Sequence, residues 1–446
     1  MKGKIVMQTA KMISNLKKDF SFSLPEIRKL IRNFHDQIKK GLKGEKSSLK
    51  MIPSYVDKAT GKEKGRFIAL DLGGTNLRIL ELELRPKGKT IKLAEKKYVV
   101  EKEYRSNTRK ELFDFIAECI KNFIVERPKG NWDLGFTFSF PIKQTGVASG
   151  ILLHWTKDFS AKGVRGKDVV SLLESALSAK GVQNVRITAL VNDTVGTLVS
   201  RSYKDQNCDI GVILGTGTNA CYREKISNII KWKQQDICGQ YMIVNMEWGN
   251  FNKLKTTIYD KLIDNESINP REQILEKMVS GMYLGEICRV IILCLIKNNL
   301  LFGNKALSYF NKKDILKTEY MSEIEADNTS SLSRSGNLLQ KIGISESSFK
   351  DRALIKKICK LVSVRSASII AAGIAAIVKQ IDPAVRNKHT VAIDGSVYEK
   401  HPEVSRHIKS ALRKIFGNKA DKIHITLTKD GSGIGAAIIA AVVDET

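Results

Sequence analysis

Two stretches of this sequence carry the residue types that hold phosphate. LDLGGTNLRI (70–79) and DIGVILGTGTNACYRE (209–224) each place glycine and threonine at the end of an apolar run, and a second β-rich run follows each turn. Glycine lets the backbone approach a ligand closely, so a Gly/Thr tip offers amide N–H groups and hydroxyls to phosphate oxygens. Neither spacing is that of the P-loop or the dinucleotide fingerprint, both of which open a helix. Two such hairpins facing each other would grip one triphosphate from opposite sides, although either alone also reads as an ordinary tight hairpin. Further glycine turns come late, in VAIDGSVY (391–398) and TKDGSGIGAAIIAAV (428–442). The last opens an alanine-rich helix, whose N-terminus suits an anion. RITALVND (186–193) stops on two polar residues, and Glu247, beside Trp248 and Gly249, is a further candidate carboxylate.

These turns need strands to carry them. RFIALDLGGTNLRILELEL (66–84) reads as two strands around the first turn, LGFTFSFP (134–141) as a strand ended by Pro141, and RITALVND as a buried strand. Helical patterns lie at Thr108–Glu126 and around Asp168–Lys180. Near residue 200 a second strand-rich unit begins. The arrangement of strand, glycine–threonine turn and strand occurs once in each half, a weak internal repeat. Residues 24–42 set Leu24, Ile27, Leu30, Ile31, Phe34, Ile38 and Leu42 on one helical face, with Arg28, Lys29, Arg32 and Lys39 opposite. Such a basic amphipathic helix can lie on a membrane, but packing against the protein body is its commoner fate.

A chain of 446 residues exceeds what one core serves, so two sizeable domains are expected. The 42% hydrophobic and 27% charged content is that of a folded globular protein rather than a disordered one. A net charge of +27 suggests polyanions, yet the lysines and arginines are spread along the chain without recognition motifs, so no nucleic acid is expected as a partner. The seven cysteines include no C-x-x-C pair, which argues against a metal site and for a reducing compartment. The first residues lack an uninterrupted apolar core, so no signal peptide is read. VIILCLI (290–296) and SIIAAGIAAIV (368–378) fall short of the ~20 residues that span a bilayer. A cytoplasmic protein is expected.

LDLGGTN, FTFSFP, HWTKDF, VNDTVGTL, GTGTNACY, VNMEWGNF, NPREQILEKMVSGMYLGE, AIDGSVYEKHP and KDGSGIGAA follow one another in this order. Together they resemble the motifs of the eukaryotic-type hexokinase and glucokinase family, which shares its superfamily with actin and the heat-shock chaperone ATPases. The resemblance runs from about residue 24 to the C-terminus. It implies an α/β protein of two actin-like (ribonuclease H-like) domains, each a mixed five-stranded sheet flanked by helices, around an ATP and sugar cleft. Residues 1–62 would pack on the large domain (201–432), and the small domain (63–200) would be completed by a helix at 433–446.

By this resemblance Asp193 is the catalytic base, and Thr156 and Lys157 hold the sugar, Lys157 also meeting the phosphoryl group in transfer. Ser139, Asn192, Asn219, Glu247 and Glu276 match the other sugar ligands. Asp71, Gly73, Gly74, Thr75 and Asn76, with Arg78, match the first phosphate motif, and Gly215, Thr216 and Gly217 the second. Asp71 also matches the carboxylate that faces magnesium through water. Gly395, Ser396, Gly431 and Ser432 match the adenosine side, and Thr318 and Ser322 match further nucleotide contacts. ATP and Mg2+ are the implied cofactors, and a hexose such as glucose the implied acceptor. The chain would be a monomer or homodimer. Two departures stand out. Glu319 replaces a basic residue, which would repel phosphate unless it points away. Asn269-Pro270-Arg271-Glu272-Gln273 lacks the family's glycine, which would shift the loop before Glu276. A kinase for another hexose, a non-catalytic sugar sensor and a polyanion or membrane binder are the rival readings.

Overall fold

The structure, a computed structural model, describes residues 2–156, 158–233, 239–302 and 306–444. In chain order its strands are β1 (Ile52–Pro53), β2 (Gly65–Leu72), β3 (Asn76–Arg85), β4 (Lys89–Val99), β5 (Trp132–Phe138), β6 (Ile142–Gly146), β7 (Ser149–Leu152), β8 (Val185–Val191), β9 (Cys208–Leu214), β10 (Thr218–Lys225), β11 (Tyr241–Asn245), β12 (His389–Asp394) and β13 (Ile423–Leu427). One sheet has the order β4-β3-β2-β5-β8, an antiparallel meander extended by two strands parallel to β2. The other runs β11-β10-β9-β12-β13 in the same pattern. The repeat read from the two turns is therefore a repeat of whole sheets, strand for strand. Residues 67–70 of β2 are all buried, because β3 and β5 flank it and both faces are covered, so the strand reads as a continuous apolar run.

The second sheet has six strands rather than five. β1 adds to its edge, with Ile52 and Pro53 opposite Asn245 and Val244 of β11. Proline lacks the N–H that a central strand would need, and an edge tolerates this. The helix Leu24–Lys43 precedes β1 and is closed by a capping box, in which Ser23 Oγ accepts from the Glu26 amide and the Glu26 carboxylate accepts from the Ser23 amide. Ile27, Leu30, Ile31, Phe34, Ile38 and Leu42 are buried in the core beside the second sheet, each contributing about 1.5–3 kcal/mol of hydrophobic stabilisation. Phe34 stacks on Phe251 with ring centroids 3.8 Å apart. The helix thus packs on the body, while Leu24, in its first turn, stays 38% exposed.

Residues 368–378 lie inside a much longer helix, Phe349–Ile381. By length and composition this helix could cross a membrane, although 83% of its apolar window is buried inside the protein. Two other helices lie between the sheets. Asp193–Ser202 follows β8 directly, and Gly431–Asp444 packs against it. Val195 and Leu198 of the first join Ala436–Ala441 of the second in one core, together with Ala189 of β8 and Cys221 of β10. A Cβ on Gly435 would collide with the backbone of Gly196, so the two helices approach as closely as glycine allows.

Candidate functional site

The first glycine turn joins β2 to β3 and is closed by the Gly73 amide, 3.1 Å from the Asn76 carbonyl. Asp71 and Arg78 face each other across this hairpin, with Arg78 Nη2 donating to Asp71 Oδ2 at 3.1 Å. Arg78 also pairs with Asp430, and Ser432 donates to Asp71 Oδ2 at 3.0 Å. The start of the C-terminal helix is therefore fastened to the first phosphate turn. Burial pushes the Asp71 carboxyl above its usual range, the Arg78 guanidinium and these bonds oppose it, and the charge of Asp193 adds to the rise.

The second turn is braced differently. Gly215 N–H donates to the Gly217 carbonyl at 3.0 Å, and the Gly215 carbonyl accepts from the Gly281 amide at 2.7 Å. Glu276 Oε2 accepts from the Thr218 amide at 2.9 Å and would lie 2.6 Å from a Cβ on Gly217. Gly395, at a φ of 118°, packs on Leu214 and Gly215, a conformation that L side chains rarely adopt. Asp394, just before it, accepts from the Gly395 amide at 2.7 Å and the Gly431 amide at 3.1 Å. Burial and the negative charges of Asp430 and Asp193 push Asp394 up to about 6. The four glycine turns of the sequence thus converge on one place.

Asp193 stands where β8 becomes a helix. Asn192 caps that helix, its side chain accepting from the Thr194 amide at 2.9 Å, and the same amide lies 2.8 Å from Asp193 Oδ1. The charge of Asp193 raises Asp71 and Asp394 and also Glu247. It is therefore in electrostatic reach of both the phosphate turns and the end of β11. Glu247 adopts a left-handed backbone, φ 53°, and accepts from Asn245 Nδ2 at 2.9 Å and Asn219 Nδ2 at 3.3 Å. Burial raises its carboxyl, and the two amides oppose the rise only in part. Asn219 Nδ2 donates to Asn245 Oδ1 at 2.8 Å, closing a triangle of polar groups suited to sugar hydroxyls.

The expected sugar ligands divide between the sheets. Asn219, Glu247 and Glu276 belong to the second. Ser139 follows β5, its amide 3.4 Å from the Leu72 carbonyl, and Thr156 lies in the loop after β7. Lys157 lies outside the described residues. Thr216, Thr318, Ser322 and Ser396 line one cavity of about 690 Å³. Glu319 lines it too. The missing glycine also has a structural answer. Arg271 takes the glycine-type backbone itself, φ 69°, and its amide donates to both oxygens of Asp264 at 3.0 Å. Asp264 also holds Lys277 at 2.6 Å, which fixes the loop to the helix carrying Glu276.

Sequence reading missed Asp394, Asn245 and Asp430. Asp394 had a signal: it ends a strand just before Gly395, much as Asp71 lies next to last in β2, two residues before Gly73. Asn245 stood in the quoted VNMEWGNF but has no chemistry of its own until the fold brings it against Asn219.

Two hexokinase family models match this chain in succession, over residues 12–203 and 209–442. Hexokinase-2 of Oryza sativa subsp. japonica is 42% identical over 412 residues, covering 89% of this chain and 83% of that protein. Hexokinase-7 of the same plant is 41% identical over 410 residues, covering 89% and 88%. A solved structure of Schistosoma mansoni hexokinase complexed with glucose superimposes with a TM-score of 0.87 at 35% identity, covering 98% of this chain and 99% of that one. The paired sheets, the converging turns and these matches over nearly the whole length place the chain in the hexokinase family.

Proposed function

We propose that this hexokinase phosphorylates the 6-hydroxyl of glucose or a closely related hexose with ATP, and that Asp193 is the base that takes the hydroxyl proton. The position of Asp193 carries the reading: one carboxylate at a helix start is in electrostatic reach of Asp71 on the phosphate side and Glu247 on the polyol side. Transfer needs a hydroxyl held in line with the γ-phosphorus and relieved of its proton.

The amides of Gly73, Gly74, Thr75 and Asn76 would meet the phosphates from one side and those of Gly215, Thr216 and Gly217 from the other. Lys157 would offset charge on the transferring group. Ser139, Thr156, Asn192, Asn219, Glu247 and Glu276 would hold the sugar, and the Thr318, Ser322 and Ser396 cavity, with Gly395, Gly431 and Ser432 beyond it, the nucleoside. The charge of Asp193 adds to the rise of the Asp71 and Asp394 carboxyl groups, so the site gathers carboxylates whose charge a divalent cation would balance. Hard oxygen donors of this kind fit magnesium, which Asp71 would face through water. Bound magnesium would neutralise charge on the phosphate oxygens.

In this reading residues 63–200 and the C-terminal helix form the small domain, 201–432 the large one, and 1–62 pack on the latter, as helix Leu24–Lys43 and β1 do. Water is as good a nucleophile as a sugar hydroxyl, so closure of the cleft on the sugar must precede transfer. A cytoplasmic enzyme at the entry to glycolysis fits these properties. A coupled assay with MgATP and a panel of hexoses, run beside an ATPase assay without sugar, tests the proposal. Fast transfer to glucose with slow sugar-free hydrolysis is expected. Equal rates would overturn the closure step, and failure with every hexose would overturn the activity.

A further inference from the structure

Behind the nucleoside cavity, the helix Thr318–Ala326 carries Glu325 into contact with two histidines of the segment His401–His407. Glu325 is buried, at 5% exposure, and so is His401, at 2%. His407 Nε2 lies 2.9 Å from Glu325 Oε1, and His401 Nε2 lies 3.7 Å from Glu325 Oε2. Ligand atoms of Glu325, Glu403 and His407 all lie within 4.8 Å of one another. His401 also lines the nucleoside cavity, whereas Glu325, Glu403 and His407 have no part in the catalytic reading above.

His401 is the informative member. Both of its ring nitrogens are buried and have no hydrogen-bond partner among the described residues, although one of them points at a carboxylate just beyond bonding distance. A buried imidazole left unpaired gives up its hydration without return, so such groups mark a missing partner. Burial also disfavours its protonated form, which leaves a lone pair for a ligand. Water would satisfy His401 alone, but it would not explain two imidazoles and two carboxylates gathered from separate helices.

We propose that Glu325, Glu403 and His407 form a binding site for a divalent transition metal, with Zn2+ the best match, and that His401, beside Glu325, turns to complete it. Two imidazoles and two carboxylates suit a tetrahedral zinc centre, and the two negative charges balance the ion. Ser363 Oγ, 2.6 Å from Glu325 Oε2, supports the carboxylate from the long helix, the kind of outer bond that orients a metal ligand. A metal at His407 Nε2 would replace its contact with Glu325, the ring keeping its one hydrogen on Nδ1. Glu403 is held by Arg406 at 2.8 Å, but that arginine is 72% exposed and moves into water at little cost. The metal would join the helix bearing Thr318 and Ser322 to the helix Pro402–Phe416, two walls near one cavity.

Equilibrium dialysis of the full chain against micromolar Zn2+, followed by metal analysis, tests this. One zinc per chain is expected, with binding weakened about tenfold or more in His407→Gln and in Glu403→Gln. Co2+ in place of zinc should give ligand-field bands of nitrogen and oxygen donors without sulfur charge transfer. Circular dichroism of metal-free samples checks that the variants fold. If they do not, Arg406→Ala decides, since freeing Glu403 should tighten binding. No zinc on the wild-type chain, undiminished zinc in folded His407→Gln, sulfur bands with cobalt, or unchanged binding in Arg406→Ala where the ligand variants unfold would each overturn the site.

Discussion

The hydroxyl of Ser432 lies 3.0 Å from Oδ2 of Asp71, across 361 positions of sequence. Arg78, opposite Asp71 on the same hairpin, reaches to Asp430 on the other side of Gly431. The C-terminal helix is thereby pinned to the first phosphate turn by a serine, an arginine and two aspartates. Any movement of that turn on binding nucleotide must carry the helix with it or break these bonds.

Asp71→Asn keeps the shape of this junction and removes its charge. If Asp71 orders the water around magnesium, the concentration of Mg2+ giving half-maximal rate at fixed ATP should rise about tenfold, the effect of losing roughly 1.4 kcal/mol of outer-shell support. An unchanged magnesium titration would assign Asp71 to the Arg78 pair alone.

Asp193→Ala should lower kcat by about 10²–10⁴-fold, the usual worth of a positioned general base. The apparent affinity for MgATP should change little, because Asp193 is not among the phosphate-turn residues. Steady-state kinetics at saturating glucose provide the readout. Activity within a few-fold of wild type would remove the base from the mechanism.

Arg271→Gly should stabilise the protein. A non-glycine residue in the left-handed region costs about 1–2 kcal/mol, and glycine returns about 0.5–1 kcal/mol of this through the entropy of the unfolded chain. A net gain of about 0.5–1 kcal/mol is expected in urea unfolding, with hexose preference unchanged because Asp264 still accepts the amide. A loss of stability would mean that the Arg271 side chain contributes more than its backbone costs.

Asp327 gives the fold a pH dependence. Burial alone would raise its carboxyl, but bonds from Thr329 and Ser335 outweigh this and hold it at about 2. With the folded-state value below the unfolded one, its stabilisation is complete above about pH 4 and is lost as pH falls toward 2. Asp327→Asn should therefore cost roughly 2 kcal/mol at pH 7 and almost nothing near pH 2. Denaturant curves at the two pH values check the difference. An equal cost at both would point to lost geometry rather than lost charge.

What the sequence determined by itself is local. Glycine beside threonine after an apolar run marks a hairpin tip, and the helix at 24–42 and the strands around 66–84, 134–141 and 186–193 follow from periodicity and breakers that act over a few residues. The motifs in order were enough to indicate the family. Tertiary structure decided what depends on distant chain segments. Ile52 and Pro53 become a sixth strand only because β11 leaves an edge open to them. Asn245 becomes a site residue only beside Asn219, and Arg271 keeps a glycine's backbone only because Asp264 holds its amide. His401 looks like any histidine until packing buries it without a hydrogen-bond partner among the described residues. Pattern along the chain sets which elements form. Which side chains meet is set by burial and close approach between elements far apart in sequence, and no short-range rule encodes that.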